Sequence, residues 1–182
     1  MGVSDIKAFL KELISIVLIA FVLSMVLRFF VVEGRLIPSG SMLPTIQEND
    51  RVMINKMIYH FKDPQRGDIV VLDPPAALQE TELFIKRVVG LPGETVEVRN
   101  GKVYINGEPL QEPYTNGPFD YQYGPVVVPE DGLFVMGDNR GNSFDSHLWN
   151  AWLTIDRLKG KAMMIYWPFN HFHLLERKVE FE

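Results

Sequence analysis

The 182-residue sequence contains no cysteine. That absence excludes disulfides, thiolate metal sites and a cysteine nucleophile. Excess positive charge is also missing: 18 Lys and Arg stand against 23 Asp and Glu, for a net charge of −5. With no basic stripe and no RNA-binding aromatic motif, this balance argues against nucleic acid as a partner, because nucleic acid rewards cationic surfaces. Histidine is scarce, at four residues. His171 and His173 are two apart but have no companion ligand, so they read as surface histidines and neither a metal nor another cofactor is expected. Internal repeats and low-complexity blocks are absent. At 47% hydrophobic and 23% charged residues, the chain suits one globular domain with an ordinary core.

What is abundant is one apolar run. Leu13 to Leu27 reads LISIVLIAFVLSMVL without a charge, and RFFVV extends it to Val32. A helix needs about 20 mostly apolar residues to cross a bilayer. Residues 13–32 reach that length if Arg28 snorkels at one end. A cleaved signal sequence would share the short positive head, but no A-x-A-like site follows the core and the run continues past Arg28. The expectation is an uncleaved anchor over residues 1–35 and a lipid bilayer as partner. Lys7 and Lys11 precede the run while Arg28 and Arg35 end or follow it, so charge alone does not orient it.

Beyond the anchor, over 36–182, short apolar runs are punctuated by Gly, Pro, Asn and Asp. Arg51–Ile58, Asp68–Leu72, Glu82–Gly90, GLFVMGD and KAMMIYW read as strands. Thr95–Arg99 and Lys102–Ile105 flank Asn100-Gly101, a strong hairpin signal. Asn106–Pro129 reads as an extended excursion with little regular structure, and Asn150–Leu158 as a short helix or turn. The fold class expected is mainly β: a transmembrane helix, then an antiparallel sandwich or distorted barrel. Of the aromatic residues Trp149, Trp152, Trp167, Phe169 and Phe172, the default is core, with some left for a lipid interface.

Three blocks could carry chemistry. In PSGSMLPT, Pro38, Gly40 and Pro44 forbid a regular helix or central strand, leaving Ser41 on a loop. A serine nucleophile needs a neutral base within reach. His60 sits at a strand end or loop without a catalytic signature. His147, two residues after Asp145, is the one serious histidine contender, and a Ser41–His147–Asp triad stays open on sequence alone. In LFIKRVV, Lys86 shares a strand face with Phe84 and Val88. Such a lysine ordinarily snorkels outward. If its amine is instead buried, desolvation lowers its pKa and makes it a possible base, as in Ser-Lys pairs. The third block, GDNRGNSFDSHLWN over 137–150, marks a loop held by side-chain-to-backbone bonds.

Together PSGSMLPT, FIKRVVGLPGE and GDNRGNSFDS, with GDIVV and GKAMMIYWP between and after them, resemble the type I signal peptidases, particularly their short bacterial forms. The likeness runs from the anchor almost to the last residues. It implies a membrane-bound serine endopeptidase that removes signal peptides from secretory preproteins. It implies an N-in, C-out single-pass anchor in the cell membrane, an extracytoplasmic β-rich domain and no cofactor. By resemblance Ser41 is the nucleophile, Lys86 the general base, Ser39 an oxyanion donor and Ser143 the residue that orients the lysine amine. Asp138, Arg140, Asp145 and Arg87 would form the supporting polar frame. Two positions depart from the pattern: His147 stands where the family commonly has arginine, and Asn150 where glycine commonly follows the tryptophan. The first puts a structural ion pair in question, the second a turn geometry. Two rivals are a tethered β domain that binds without catalysis, and a self-cleaving Ser-Lys repressor protease. The second should carry a DNA-binding domain instead of a membrane span.

Overall fold

The structure is a computed structural model that describes residues 3–117, 119–177 and 179–181. The apolar run forms helix α1, Val3–Val26, and a π-helical turn, Leu27–Val31, joins it directly to strand β1, Val32–Leu36. The helix thus starts earlier and ends earlier than the apolar text. Val32–Arg35, placed with the anchor from sequence, are hydrogen-bonded into the sheet opposite Asn55–Val52.

Twelve further strands follow: β2 Arg51–Asn55, β3 Ile69–Leu72, β4 Phe84–Gly90, β5 Thr95–Arg99, β6 Lys102–Ile105, β7 Glu108–Gln111, β8 Tyr123–Val127, β9 Gly132–Met136, β10 Leu153–Thr154, β11 Leu158–Trp167, β12 His173–Leu174 and β13 Glu180–Phe181. Helix α2 is a single turn, Ser146–Trp149. Every described strand pair is antiparallel, so the architecture is the mainly β one expected. The larger sheet has eight strands in the order β1-β2-β11-β3-β4-β9-β10, with β12 beside β11. The smaller has five, β13-β7-β6-β5-β8. The excursion over 106–129 therefore contains two strands, β7 and β8, which sequence missed because Pro109, Gly124 and Pro125 mask the alternation.

Local chemistry explains the strands around the site. Ile69-Val70-Val71-Leu72 is a continuous apolar run because both faces of β3 are covered. Ile69 and Val71 join a core with Ile37, Met42, Ile46 and Ile85, while Val70 and Leu72 join another with Val88, Leu133, Val135 and Trp149. In the β5–β6 hairpin, Asn100 and Gly101 both adopt left-handed backbone, φ 52° and 70°, as a two-residue turn of this hand requires. A third core lies under the smaller sheet, built on Val96, Val98, Val103, Ile105 and Phe134.

Candidate active site

The loop carrying Ser41 is fixed by its apolar neighbours. Gly40–Met42 form one 3-10 turn, closed by Leu43 N–H donating to the Gly40 carbonyl at 3.2 Å. Met42 and Ile46 are fully buried on either side of the break that Pro44 enforces. Ser41 is thereby held close to the core, 8% exposed, while Ser39 lies in extended conformation on the exposed lip.

Strand β4 brings Lys86 to this loop. Lys86 pairs across the sheet with Val70 and shares its face with Phe84 and Val88. The residue is 4% exposed, so the snorkelling that lysines usually show does not occur. Its Nζ is 2.9 Å from Ser41 Oγ and 5.6 Å from the centroid of the Phe84 ring. Burial pulls the amine down to a pKa of about 8, against the opposing influence of the Asp145 and Asp138 carboxylates. At that value a sizeable fraction of the amine is neutral near physiological pH.

Residues 137–145 close around the pair. Asn139 N–H donates to the Ser41 carbonyl at 3.1 Å and its Nδ2 to the Gly40 carbonyl at 3.0 Å, clamping the serine loop from both ends of one residue. Gly137 N–H donates to Asp145 Oδ2 at 2.9 Å. A methyl group on Gly137 would lie 2.2 Å from Ser143 Oγ and 2.4 Å from the Ser41 carbonyl oxygen, so only glycine permits this approach. Ser143 Oγ is buried among the dyad's neighbours and has no hydrogen-bond partner.

The charged residues of the frame pair in three units. Arg87, on the face of β4 opposite Lys86, grips Asp138 through Nε and Nη2 at 2.8 and 2.6 Å and the Gly67 carbonyl at 2.9 Å. Thr45 Oγ1 adds a third donor to Asp138 at 2.5 Å. Arg140 forks onto Glu112, with one arm at 2.7 Å, and donates to the Gly137 carbonyl at 3.1 Å. Asp145 Oδ1 meets His147 Nδ1 at 2.5 Å, and the His147 ring stacks on Tyr121 at 4.2 Å. His147 is thus the partner of Asp145, and the hydrogen-bond partner of Ser41 is Lys86. Asn150 holds left-handed backbone, φ 49°, at the end of α2. That is a conformation glycine takes freely and asparagine tolerates, so the second departure keeps a left-handed helix end.

Sequence reasoning missed Asn139, Gly137, Thr45 and Glu112. The first two sit inside a quoted block, where Asn and Gly announce a loop but not its partner. Glu112 lies in the excursion, which turns out to brace the frame. Besides the Glu112 pair, Tyr114 lies under the Arg87 guanidinium at 3.9 Å, and Asn116 N–H donates to the Asp138 carbonyl at 3.0 Å. In the tail, His171 pairs with Asp50 at 3.0 Å and His173 is exposed.

Beside the dyad runs a cleft of about 540 Å³, lined by Arg35–Pro38 on one wall and Thr81–Ile85 on the other, with Val71 between them. Pro38 precedes Ser41 by three residues and Ile85 precedes Lys86 by one, so both walls approach the dyad in the N-to-C direction. Among the described strands, β1 is terminal in its sheet and pairs with β2 alone.

A buried lysine amine lies within hydrogen-bond reach of a loop serine beside a strand-edged cleft, a geometry in which a hydroxyl has a base at hand. Comparisons of the sequence with known proteins identify its family. The sequence model described as "Signal peptidase, peptidase S26" matches residues 10–167. The signal peptidase I of Leptolyngbya laminosa is 49% identical over 166 residues, covering 88% of this chain and 81% of its own. Signal peptidase I S of Bacillus subtilis is 36% identical over 175 residues, covering 90% and 92% respectively. A solved signal peptidase I from Enterococcus faecalis is 33% identical, covers 55% of this chain and 97% of its own, and superposes with a TM-score of 0.47. The chain belongs to the signal peptidase family, peptidase S26, a family of serine endopeptidases.

Proposed function

We propose that this protein is a membrane-anchored endopeptidase that removes N-terminal signal peptides from secretory preproteins, with Ser41 as nucleophile and the neutral amine of Lys86 as general base. The observation that carries the reading is the buried 2.9 Å contact between Lys86 Nζ and Ser41 Oγ. The neutral amine accepts the Ser41 hydroxyl proton as Oγ attacks the scissile carbonyl. The resulting ammonium donates that proton to the leaving amine, and water then deacylates Ser41 with Lys86 again as base. The Ser41 N–H and the Ser39 hydroxyl stabilise the developing oxyanion. Ser143 orients the amine as it gains and loses the proton; its hydroxyl, buried beside Gly137 and without a hydrogen-bond partner, supports this reading. Asp138, Arg140, Asp145 and Arg87 keep the loops in register. The signal peptide lies extended in the cleft along the free edge of β1, with alternate side chains entering it.

Helix α1 supplies the membrane span: Phe9–Val26 has a mean hydropathy of 2.3 and none of it is buried within the protein. We assign it an N-in orientation that leaves the β domain outside the cytoplasmic membrane. Exposed Trp167, Phe169 and Phe172, with Trp167 and Phe169 in edge contact at 4.7 Å, add a surface suited to the lipid interface. Trp149 is core, as is the default for such residues.

The direct test is incubation of a purified secretory preprotein with the wild type and with Ser41→Ala, followed by N-terminal sequencing of the product. Cleavage at one site by the wild type only is expected; equal cleavage by Ser41→Ala would remove Ser41 from the mechanism. Ser39→Ala should lower kcat by roughly 10²–10³ with little change in KM, the loss typical of one oxyanion donor. A mutant that mainly raises KM would instead make Ser39 a substrate contact. Gly137→Ala forces Ser143 and the Ser41 carbonyl away from the methyl group. Its kcat/KM should fall by about 10², the usual effect of an ångström-scale misplacement. Full activity would show that the two loops do not need this contact.

A further inference from the structure

We infer that α1 is a docking site for the apolar helical segment of the signal peptide, inside the membrane, in addition to being an anchor. The inference rests on the proposed function and concerns how that substrate is held. It starts from chain direction. The cleft wall formed by Arg35–Pro38 leads N-to-C to Ser41. An acyl-side substrate segment also runs N-to-C toward the bond that Ser41 attacks. A substrate strand lying on the free edge of β1 is therefore parallel to β1, and the residues preceding it continue back toward Val32.

What precedes Val32 is membrane span, with no flexible linker. Lys56 N–H donates to the Val31 carbonyl at 2.9 Å, Val32 pairs with Asn55, and only the five-residue turn Leu27–Val31 separates this sheet edge from α1. The two chains thus leave the cleft side by side. A signal peptide carries an apolar segment of about 7–15 residues upstream of its cut, and this segment is helical in a bilayer because its backbone must be satisfied internally. The 18-residue window Phe9–Val26 spans about 27 Å, close to the hydrocarbon thickness of a bilayer.

The remaining surface of α1 is available for this role. None of the Phe9–Val26 window is buried by the rest of the protein. Helices in lipid associate through close packing rather than hydrophobic transfer, so a specific side-chain surface matters more than apolarity. Continuity with the cleft selects the substrate's helix as occupant: a chain held by its scissile bond at Ser41 has its preceding segment delivered to α1 at high effective concentration.

The test uses the full chain with Ser41→Ala, in phospholipid vesicles, carrying a photoreactive benzophenone residue at each position from 13 to 26 in turn, and a secretory preprotein as probe. Crosslinks to the preprotein's apolar segment should recur every three to four positions. Positions near Val26 should label the end nearest the cut, and positions near Leu13 the opposite end. Crosslinks confined to lipid, to a second copy of this chain, or in the reverse register would overturn the inference. Product formed by the Ser41→Ala background counts against the catalytic reading alone, because crosslinks are scored on uncut preprotein. A second measurement replaces Leu13–Val26 by leucines in the active chain. The ratio of kcat/KM for the preprotein to kcat/KM for a short peptide spanning only the cut should fall about tenfold, as remote binding energy is lost. An unchanged ratio would overturn the inference too.

Discussion

Lys86→Arg is expected to abolish preprotein cleavage as fully as Lys86→Ala, while the fold survives. Arginine keeps the positive charge and nearly the reach, but it does not release its proton in a protein. A role for Lys86 in simple charge would tolerate the exchange; a role as base cannot. The wild-type pH profile checks the same assignment from the other side. Burial lowers the Lys86 pKa from the usual lysine value to about 8. The charged form dominates below that pH and the neutral form above it, so kcat/KM should climb with pH and level off once pH exceeds about 8. An exposed lysine would put the limb near 10.4. A robustly active Lys86→Arg enzyme, or a flat profile from pH 6 to 9, would remove Lys86 as base.

Arg87→Met should be the most destabilising single change in the frame. Arg87 is 1% exposed and its partner Asp138 is fully buried, so removing the cation strands a carboxylate where water cannot reach it. Breaking such a pair from one side costs about 3–5 kcal/mol. The double variant Arg87→Met/Asp138→Leu removes both charges and should recover most of the loss, because a well-packed apolar pair often replaces a buried ion pair at little cost. Urea unfolding of the detergent-solubilised protein reads both values. Activity should not recover with stability. Asp138 adjoins Asn139, which clamps the serine loop, and Asp138 is also the acceptor for Thr45 on that loop's far side. A double variant as unstable as Arg87→Met would mean that the arginine acts through packing on Tyr114 rather than by neutralising Asp138.

Several elements could be read before any coordinate. The apolar run sets α1, whose window Phe9–Val26 is long and apolar enough to cross a bilayer. The Asn100-Gly101 turn sets its hairpin because the turn needs two left-handed residues. The runs IVVL and FIKRVVG set β3 and β4, since β-branched residues at that density fit a pleated, buried surface. The blocks around Ser41, Lys86 and Ser143 carry their family likeness in the text itself.

Other features required the folded chain. Whether Lys86 snorkels or stays buried depends on what covers the face it shares with Phe84 and Val88, and the same pattern fits both outcomes. The cover comes from a serine loop 45 residues earlier in sequence. His147 could not be separated from Lys86 as the partner of Ser41 until its ring was seen against Asp145 and Tyr121. The strands β7 and β8 and the bracing pair Glu112–Arg140 were hidden in a stretch rich in Gly and Pro, where no period shows. The sequence by itself determined the long apolar N-terminal helix, the β-rich character and the residue types available for chemistry, because these follow from interactions between near neighbours. Tertiary structure alone decided which serine meets which amine, which carboxylate each arginine neutralises, and how far the amine is desolvated. Those are properties of contacts between segments far apart in the chain, and only packing brings them together.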